Sequence, residues 1–420
     1  MPSDRLRAVV VGAGIGGLTA ALSLHEIGVD VDVFEAVENV RPLGVGINLL
    51  PHAARELSAL GLLDRLHTRS VAPERLIYFT DRGQEIWREP RGKAAGYPYP
   101  QVSTHRGWLQ QVLHDGFVER LGRERLHLGH RLRRIEGTAE RPVAVFEDDA
   151  VEADVVVAAD GIHSAARAQF HPGEGPPLWN GSLMWRGLAE IPPVLDGRTL
   201  VWAGHPDQKF VGYPIAEGAG GRQTFNFIAE LRRPDSPLGA QEDWNRRGEL
   251  GDFLPEFELW TFDWLDVPSV IRLAQDTFLF PMVDRDPLDA WTFGRTTLLG
   301  DAAHPMYPIG SNGASQAILD ARILAGCLRR HADDVDLALA RYEAARRPAT
   351  AAVVRANREL GPELPMQLVH ERAPGGFSDI ADVISPEEIA QVTEDYRRTA
   401  GFALAALQRG TSLLDEPYDP

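Results

Sequence analysis

The sequence predicts an α/β protein: a Rossmann-type dinucleotide-binding domain with an inserted, mainly antiparallel β-sheet domain and a C-terminal helical segment. Three observations predict it. A β-branched run, Arg7-Ala8-Val9-Val10-Val11, leads into Gly12-Ala13-Gly14-Ile15-Gly16-Gly17. A second strand-to-loop joint, Thr296-Thr297-Leu298-Leu299 into Gly300-Asp301-Ala302-Ala303-His304-Pro305, lies in the last third of the chain. Between them, from about Leu178 to Leu273, aromatics become frequent and strand patterns such as Thr224-Phe225-Asn226-Phe227-Ile228 dominate.

The first run reads as a buried parallel strand, followed by a helix over Leu18 to Leu24. Gly12 permits the tight turn, Gly14 lets backbone approach a pyrophosphate, and Gly17 lets helix and strand pack. Ile15 and Gly16 complete the loop, where the helix N-terminus offers unpaired N–H groups to phosphate. Val29, Val31 and Val33 alternate with Asp30 and Asp32 in a second strand ending at Glu35. An acid there can accept hydrogen bonds from an adenosine ribose. A glycine-rich turn without a ligand is the competing reading, and strand, helix and terminal acid together weigh against it.

Arg75 to Glu89 alternates like a hairpin, turning at Asp81-Arg82-Gly83, and is expected in a separate sheet. Thr104-His105-Arg106 opens a helix carrying Leu109, Val112 and Leu113 at helical spacing. Val151 to Ala159 returns to the nucleotide sheet. Beyond Gly310-Ser311-Asn312-Gly313 a helix starts near Ala314, with Ile318, Ala321, Leu324 and Ala325 on one face. Asp334 to Leu360 reads as a charged helix, and one further helix is expected from Pro386 to Leu407. The boundaries that follow are 1–74, 101–175 and 276–345 for the nucleotide-binding domain, 75–100 for the hairpin, 176–275 for the substrate domain and 346–420 for the C-terminal extension.

The second motif favours FAD over NAD. Ligands in open α/β sheets sit beyond the carboxyl ends of strands. Asp301 at such an end can bind a polyol hydroxyl, and the ribityl chain of FAD offers several. The helix after Gly313 can face the pyrimidine edge of a flavin, where the reduced ring carries negative charge. Taken alone, this segment reads equally well as an ordinary strand–loop–helix joint.

Composition narrows the class further. The 420 residues suffice for two domains and a large core, with 44% hydrophobic and 25% charged residues. A single cysteine, Cys327, excludes an internal disulfide and fits a reducing cytoplasm. No run of about 18 apolar residues suggests a membrane span. Met1 to Arg5 run straight into the first strand, which leaves no room for a signal peptide and makes cytoplasmic localisation the expectation. A net charge of −17 argues against nucleic acid as a partner, though local arginines can still hold an anionic substrate. His304 has no partner at metal-binding spacing, so no metal site is expected. Gly218-Ala219-Gly220-Gly221 follows Ala216-Glu217 in a loop and opens no helix, so a second nicotinamide-binding fold is absent.

With Val155-Val156-Val157-Ala158-Ala159-Asp160-Gly161-Ile162-His163-Ser164 between them, the two glycine motifs form three fingerprints in fixed order. On these the chain resembles the single-component FAD-dependent aromatic monooxygenases of the para-hydroxybenzoate and salicylate hydroxylase class. Within the class it is most similar to the methylphenazine-carboxylate monooxygenases of phenazine biosynthesis. That closer match rests on Arg41 to Asn48, Met184-Trp185-Arg186-Gly187, Pro281 to Pro287, Met306-Tyr307-Pro308 and Asn312 to Asp320. The resemblance runs from about Arg7 to Arg358.

The resemblance implies that FAD is held by Gly12, Gly14, Ile15, Gly16, Gly17, Glu35, Arg41, Val45, Gly46, Arg106, Leu128, Asp160, Asp301, Pro305, Gly310, Asn312, Gly313 and Ala314. It implies an aromatic-walled substrate pocket at Trp185, Arg186, Tyr213, Phe225, Met306 and Tyr307. The catalytic candidates are Tyr213, Lys209 and Asn48. Tyr213 matches a pocket-lining position. Lys209 and Asn48 fall where some relatives carry histidines, so histidine-based proton transfer is not carried over, and Arg186 or Lys209 is available to a carboxylate. In the resembling class NADH or NADPH reduces the flavin from a shared surface, and the resemblance implicates the Asp160-Gly161 stretch here. O2 then gives a flavin hydroperoxide, which hydroxylates a small, electron-rich aromatic ring, carboxylated and phenazine- or salicylate-like. The class needs no separate reductase and implies a monomer or homodimer; the closer match implies antibiotic biosynthesis. Epoxidation or Baeyer–Villiger oxygenation of a polycyclic metabolite is the alternative, and a flavin-binding protein without oxygenase activity is a third reading.

Overall fold

A computed structural model describes residues 5–38, 44–236, 246–408 and 410–417. Its first layer is a six-stranded sheet in the order Thr292–Phe293, Thr296–Leu298, Val155–Ala158, Arg7–Val11, Asp30–Glu35, Leu126–Leu128. All neighbours run parallel except the edge pair formed by Thr292–Phe293 and Thr296–Leu298. Ala8, Val9 and Val10 are fully buried, as a parallel strand covered on both faces requires. After Arg7–Val11 the next strand lies on one side and Val155–Ala158 on the other. The chain therefore reverses its winding at the carboxyl end of the first strand, where α/β sheets place a ligand.

Helix Ile15–Glu26 follows the glycine loop, starting three residues before the expected Leu18. It packs against Gly313–Arg330, which begins one residue before the expected Ala314. Two glycines permit the close joint between this first helix and the strand before it. Gly12 has φ +100°, and a Cβ on Gly17 would stand 1.9 Å from the Gly12 carbonyl oxygen.

The second layer is a seven-stranded sheet in the order Thr277–Asp284, Leu178–Ile191, Gln223–Arg232, Gln208–Glu217, Thr199–His205, Arg75–Phe79, Glu85–Pro90. Its pairs are antiparallel apart from Thr199–His205 with Arg75–Phe79. The expected Arg75 hairpin is thus an extension of this sheet. One face packs an aromatic core that includes Phe210, Phe225, Phe227, Phe253 and Phe257. The other is partly covered by C-terminal helices, with Met366, Val369 and Ile389 against Trp202 and Ile215.

Two local expectations differ from the fold. Val151 belongs to a separate antiparallel sheet of Arg134–Gly137, Pro142–Val145 and Ala150–Glu152, and the nucleotide sheet is rejoined only at Val155. Val151, Ala153 and Val155 alternate with Glu152 and Asp154 across the junction, so the turn between the strands is invisible in the pattern. The helix expected over Pro386 to Leu407 is two, Pro386–Thr399 and Leu404–Leu407, interrupted at Gly401. The charged helix Val335–Arg358 is continuous, capped by Asp334 Oδ1 accepting from the Leu337 N–H at 3.0 Å. Among the described residues no helix is long and apolar enough to cross a membrane.

Gly17→Ala is expected to lower stability by about 2 kcal/mol or more through the clash with the Gly12 carbonyl. Urea unfolding measures this, and an unchanged midpoint would show that the loop yields freely.

Candidate active site

One cavity of about 330 Å³ lies between the carboxyl edge of the six-stranded sheet and a face of the seven-stranded sheet. Two helix N-termini open onto it. Ile15–Glu26 begins at Gly14 and Gly313–Arg330 at Asn312, and neither has a side-chain cap. The first N–H groups of a helix lack partners within it, so both ends attract acceptors. A Cβ on Gly14 or Gly313 would meet no atom within 4 Å, so the backbone there is open to a ligand. These two bare termini fit a long ligand carrying anionic or carbonyl acceptors at separate points, as FAD does.

Asp301 sits on this wall, exposed to the cavity although protein surrounds it. That enclosure raises its pKa, with His304 and Arg106 opposing the rise. Burial lowers the pKa of the facing Arg106, and Asp301 opposes that in turn. Glu35 is pinned beside the glycine loop: Oε2 accepts from the Ala13 N–H at 2.7 Å and Oε1 from the Val37 N–H at 3.0 Å. Leu128 is its partner on the neighbouring strand.

The loop carrying Asp301 is held from behind. Asp320, fully buried, accepts from the Gly300 N–H at 3.1 Å and from Arg346 Nε at 2.7 Å, and pairs with His304 Nε2 at 2.5 Å. Arg167 donates to the carbonyls of Ala302 and Ala303 at 3.1 and 2.9 Å. Asp160 turns inward as well, Oδ2 accepting from the Ala165 N–H at 2.8 Å, and burial raises its pKa.

The wall formed by the seven-stranded sheet follows strand register. Lys209, Val211 and Tyr213 alternate along one strand and pair with Glu230, Ile228 and Asn226 on the next. Met184 and Arg186 continue the first two rows on the third strand, and Trp202 lies beside Val211. Arg186 donates to the Gly46 carbonyl at 2.7 Å, and its guanidinium hydrogen-bonds Tyr213. Burial raises the Tyr213 pKa against that influence, so the hydroxyl keeps its proton. Arg186 Nε and Asn226 Nδ2 are buried donors without a partner among the described residues. Asn48 Oδ1 accepts from the Ser103 hydroxyl, and Asn226 Oδ1 from the Gly46 N–H at 2.7 Å.

The cavity brings together Gly14, Ile15, Gly16, Gly46, Asn48, Arg106, Arg186, Lys209, Tyr213, Asp301, Met306, Asn312, Gly313 and Ala314. Gly12 and Gly17 support the loop from beneath. Val45 and Tyr307 pack with Met184 and Phe280, while Gly310 faces a small neighbouring pocket at Tyr396. Pro305 lies beside the lining without joining it. Arg41 lies outside the described residues.

Two expected substrate residues turn away. Trp185 and Phe225 point to the opposite face of their sheet, where Trp185 stacks on Phe253 at 5.0 Å. Neighbours on a strand alternate sides, so Arg186 on the cavity puts Trp185 in the core. Tyr307 is drawn off by hydrogen bonding to Asp284, which also binds Arg358 at 2.7 and 2.9 Å. The walls are accordingly less aromatic than expected, with Trp202 and Tyr213 beside aliphatic and polar groups. Lys209 is already bound by Glu230 at 3.0 Å and by Glu363, which removes it as a free carboxylate receptor. Sequence reasoning missed Trp202, Glu230 and Glu363. The first two follow only from register, and Glu363 arrives from a distant segment. Elsewhere, Asp81, His205 and His370 place possible ligand atoms within 4.8 Å of one another. The two imidazoles stack at 3.8 Å, so their in-plane lone pairs run side by side and do not converge on one ion.

Residues 5–230 and 281–357 match the family described as FAD binding domain. The chain belongs to this family. It is 44% identical over 363 residues to a phenazine 1,6-dicarboxylic acid hydroxylase, PhzS, of Lysobacter antibioticus, covering 84% of this chain and 89% of that protein. It is 36% identical over 371 residues to a 3-amino-4-hydroxybenzoate 2-monooxygenase of Streptomyces cremeus, covering 85% and 87%. Among solved structures it resembles Klebsiella pneumoniae HpxO in complex with FAD and uric acid, with TM-score 0.73, 25% identity, and 96% and 97% of the two chains covered. The chain is an FAD-dependent monooxygenase of the aromatic hydroxylase type.

Burial alone would raise the Asp320 carboxyl, but His304 and Arg346 outweigh it and lower its pKa from 3.8 to about 2. A depressed folded pKa adds stability above the unfolded value, lost as pH falls toward the folded one. Wild type is therefore expected to exceed Asp320→Asn by about 2 kcal/mol near neutral pH. The gap should shrink steadily below about pH 4. Urea titrations across pH test this, and a pH-independent gap would contradict the assignment.

Proposed function

We propose that this enzyme hydroxylates a carboxylated, phenazine- or salicylate-like aromatic ring, using NADH or NADPH and O2. The observation that carries the reading is the cavity that joins two uncapped helix N-termini to a sheet face with an apolar floor and polar groups at its ends. The phenazine and aminohydroxybenzoate relatives support the substrate class.

In this reading the Gly14 to Gly16 loop takes the pyrophosphate, Glu35 the adenosine ribose and Asp301 the ribityl hydroxyls. The N–H groups after Asn312 take the pyrimidine edge. Reduced FAD supplies, with O2, the oxygen that is inserted. The protein orients the substrate and excludes water. Arg186, with Nε unpartnered, receives an acceptor such as a carboxylate, and the Tyr213 hydroxyl beside it fixes the ring. Asn48 stays a cavity-wall residue held by Ser103. Lys209 is kept charged by its two carboxylates and is not a base for a phenolic proton.

Substrate-stimulated NADH oxidation with stoichiometric hydroxylated product, across a panel of aromatic acids and phenazines, tests the reaction. NADH consumption without product in every case would sink it. Asp301→Ala should weaken FAD binding about tenfold or more, read by flavin release on dilution; unchanged retention would remove the ribityl contact. Tyr213→Phe should divert more NADH to hydrogen peroxide while leaving FAD affinity near wild type. Full coupling in that variant would remove its hydroxyl from the reaction.

A further inference from the structure

The cavity has an unbalanced charge at one end. Lys209 faces Glu230 across paired strands, with Nζ 3.0 Å from the carboxylate, and also bonds Glu363. The three residues are 3%, 5% and 5% exposed, and all three line the cavity. One ammonium therefore meets two carboxyl groups, and burial raises the Glu230 pKa, with Lys209 opposing the rise and Glu363 adding to it. The adjoining positions on the wall, Met184, Val211 and Ile228, add no charge. The other cavity cations lie elsewhere, Arg106 in the field of Asp301 and Arg186 on the Gly46 carbonyl and Tyr213. Lys209 and Tyr213 are four residues apart on one strand, about 13 Å at ~3.3 Å per residue. A fused-ring substrate lying over Val211 and Ile228 thus meets Arg186 and Tyr213 toward one edge and the acidic cluster at the other.

A buried carboxylate in excess of its counter-charge is costly unless another donor reaches it, and a second anion beside it is worse. We propose that the Lys209–Glu230–Glu363 cluster selects substrates whose edge away from Tyr213 carries a hydrogen-bond donor, and disfavours a carboxylate at that edge. Amino, hydroxyl and protonated ring nitrogen groups meet this requirement. The inference rests on the proposed aromatic substrate and specifies the chemistry of its far edge. Glu230 and Glu363 are then specificity residues. Lys209 bridges them and offsets part of the repulsion that Glu363 exerts on Glu230.

The test uses the FAD-loaded enzyme and three ligands that differ only on the distal ring: 6-aminophenazine-1-carboxylate, phenazine-1-carboxylate and phenazine-1,6-dicarboxylate. Binding is read from perturbation of the flavin absorption, without turnover. The amino ligand should bind tightest and the dicarboxylate weakest. Glu230→Gln should reduce the amino-over-dicarboxylate ratio by about tenfold or more, and Glu363→Gln should move it the same way. A merely structural role would weaken all three ligands together and leave the ratio intact. Equal binding of the three, or a dicarboxylate preference, overturns the proposal. If the order holds while no hydroxylated product forms, the reaction proposed above falls and the donor selection stands. If product forms with no order among the ligands, the reverse conclusion follows.

Discussion

The buried carboxylate of Asp320 holds the two halves of the nucleotide wall in one geometry. It sits on the helix that opens at Gly313 and accepts from the Gly300 N–H on the loop that carries Asp301. His304 and Arg346 complete its shell, and Arg346 also donates to Gln316 at 2.6 Å. A charge with no exposed surface is tolerable only when so fully bonded. Removing any partner would free the loop, the helix end, or both. Arg167 grips the same loop from the other side through two carbonyls, so the Asp-Gly stretch and the Gly300 motif act as one unit.

The substrate wall depends on a different constraint, the two-residue period of a strand. The same alternation that puts Arg186, Tyr213 and Glu230 on the cavity puts Trp185 and Phe225 in the core. The large aromatics thus stiffen the sheet from behind while the cavity keeps a few polar groups on an apolar floor. Such a division suits a reaction in which a bound cofactor supplies the chemistry and the protein supplies placement and dryness.

The C-terminal segment takes part in both. Tyr396 accepts from Asn312 Nδ2 at 2.7 Å, so the start of the cavity-facing helix is braced by the Pro386–Thr399 helix. Glu363 closes the far end of the cavity against Lys209. A region with no recognisable motif is therefore structurally joined to the cofactor wall and to the substrate wall.

Much of this was legible in the chain itself. The β-branched run into Gly12 to Gly17 and the acid at Glu35 dictate a strand, a turn and a helix N-terminus, because local sterics and backbone polarity act within a few residues. The order of the three fingerprints identified the family, and alternating or helical apolar spacing placed most elements. The tertiary structure decided what depends on distant partners. Only register shows that Lys209 faces Glu230, and only the folded C-terminal segment brings Glu363 to them. The face to which Trp185 points is set by burial of the whole sheet, and the pull of Asp284 on Tyr307 by a partner outside its own loop. Local sequence fixes backbone conformation over short range, whereas side-chain direction and charge pairing are settled when separate elements compete for the same interior.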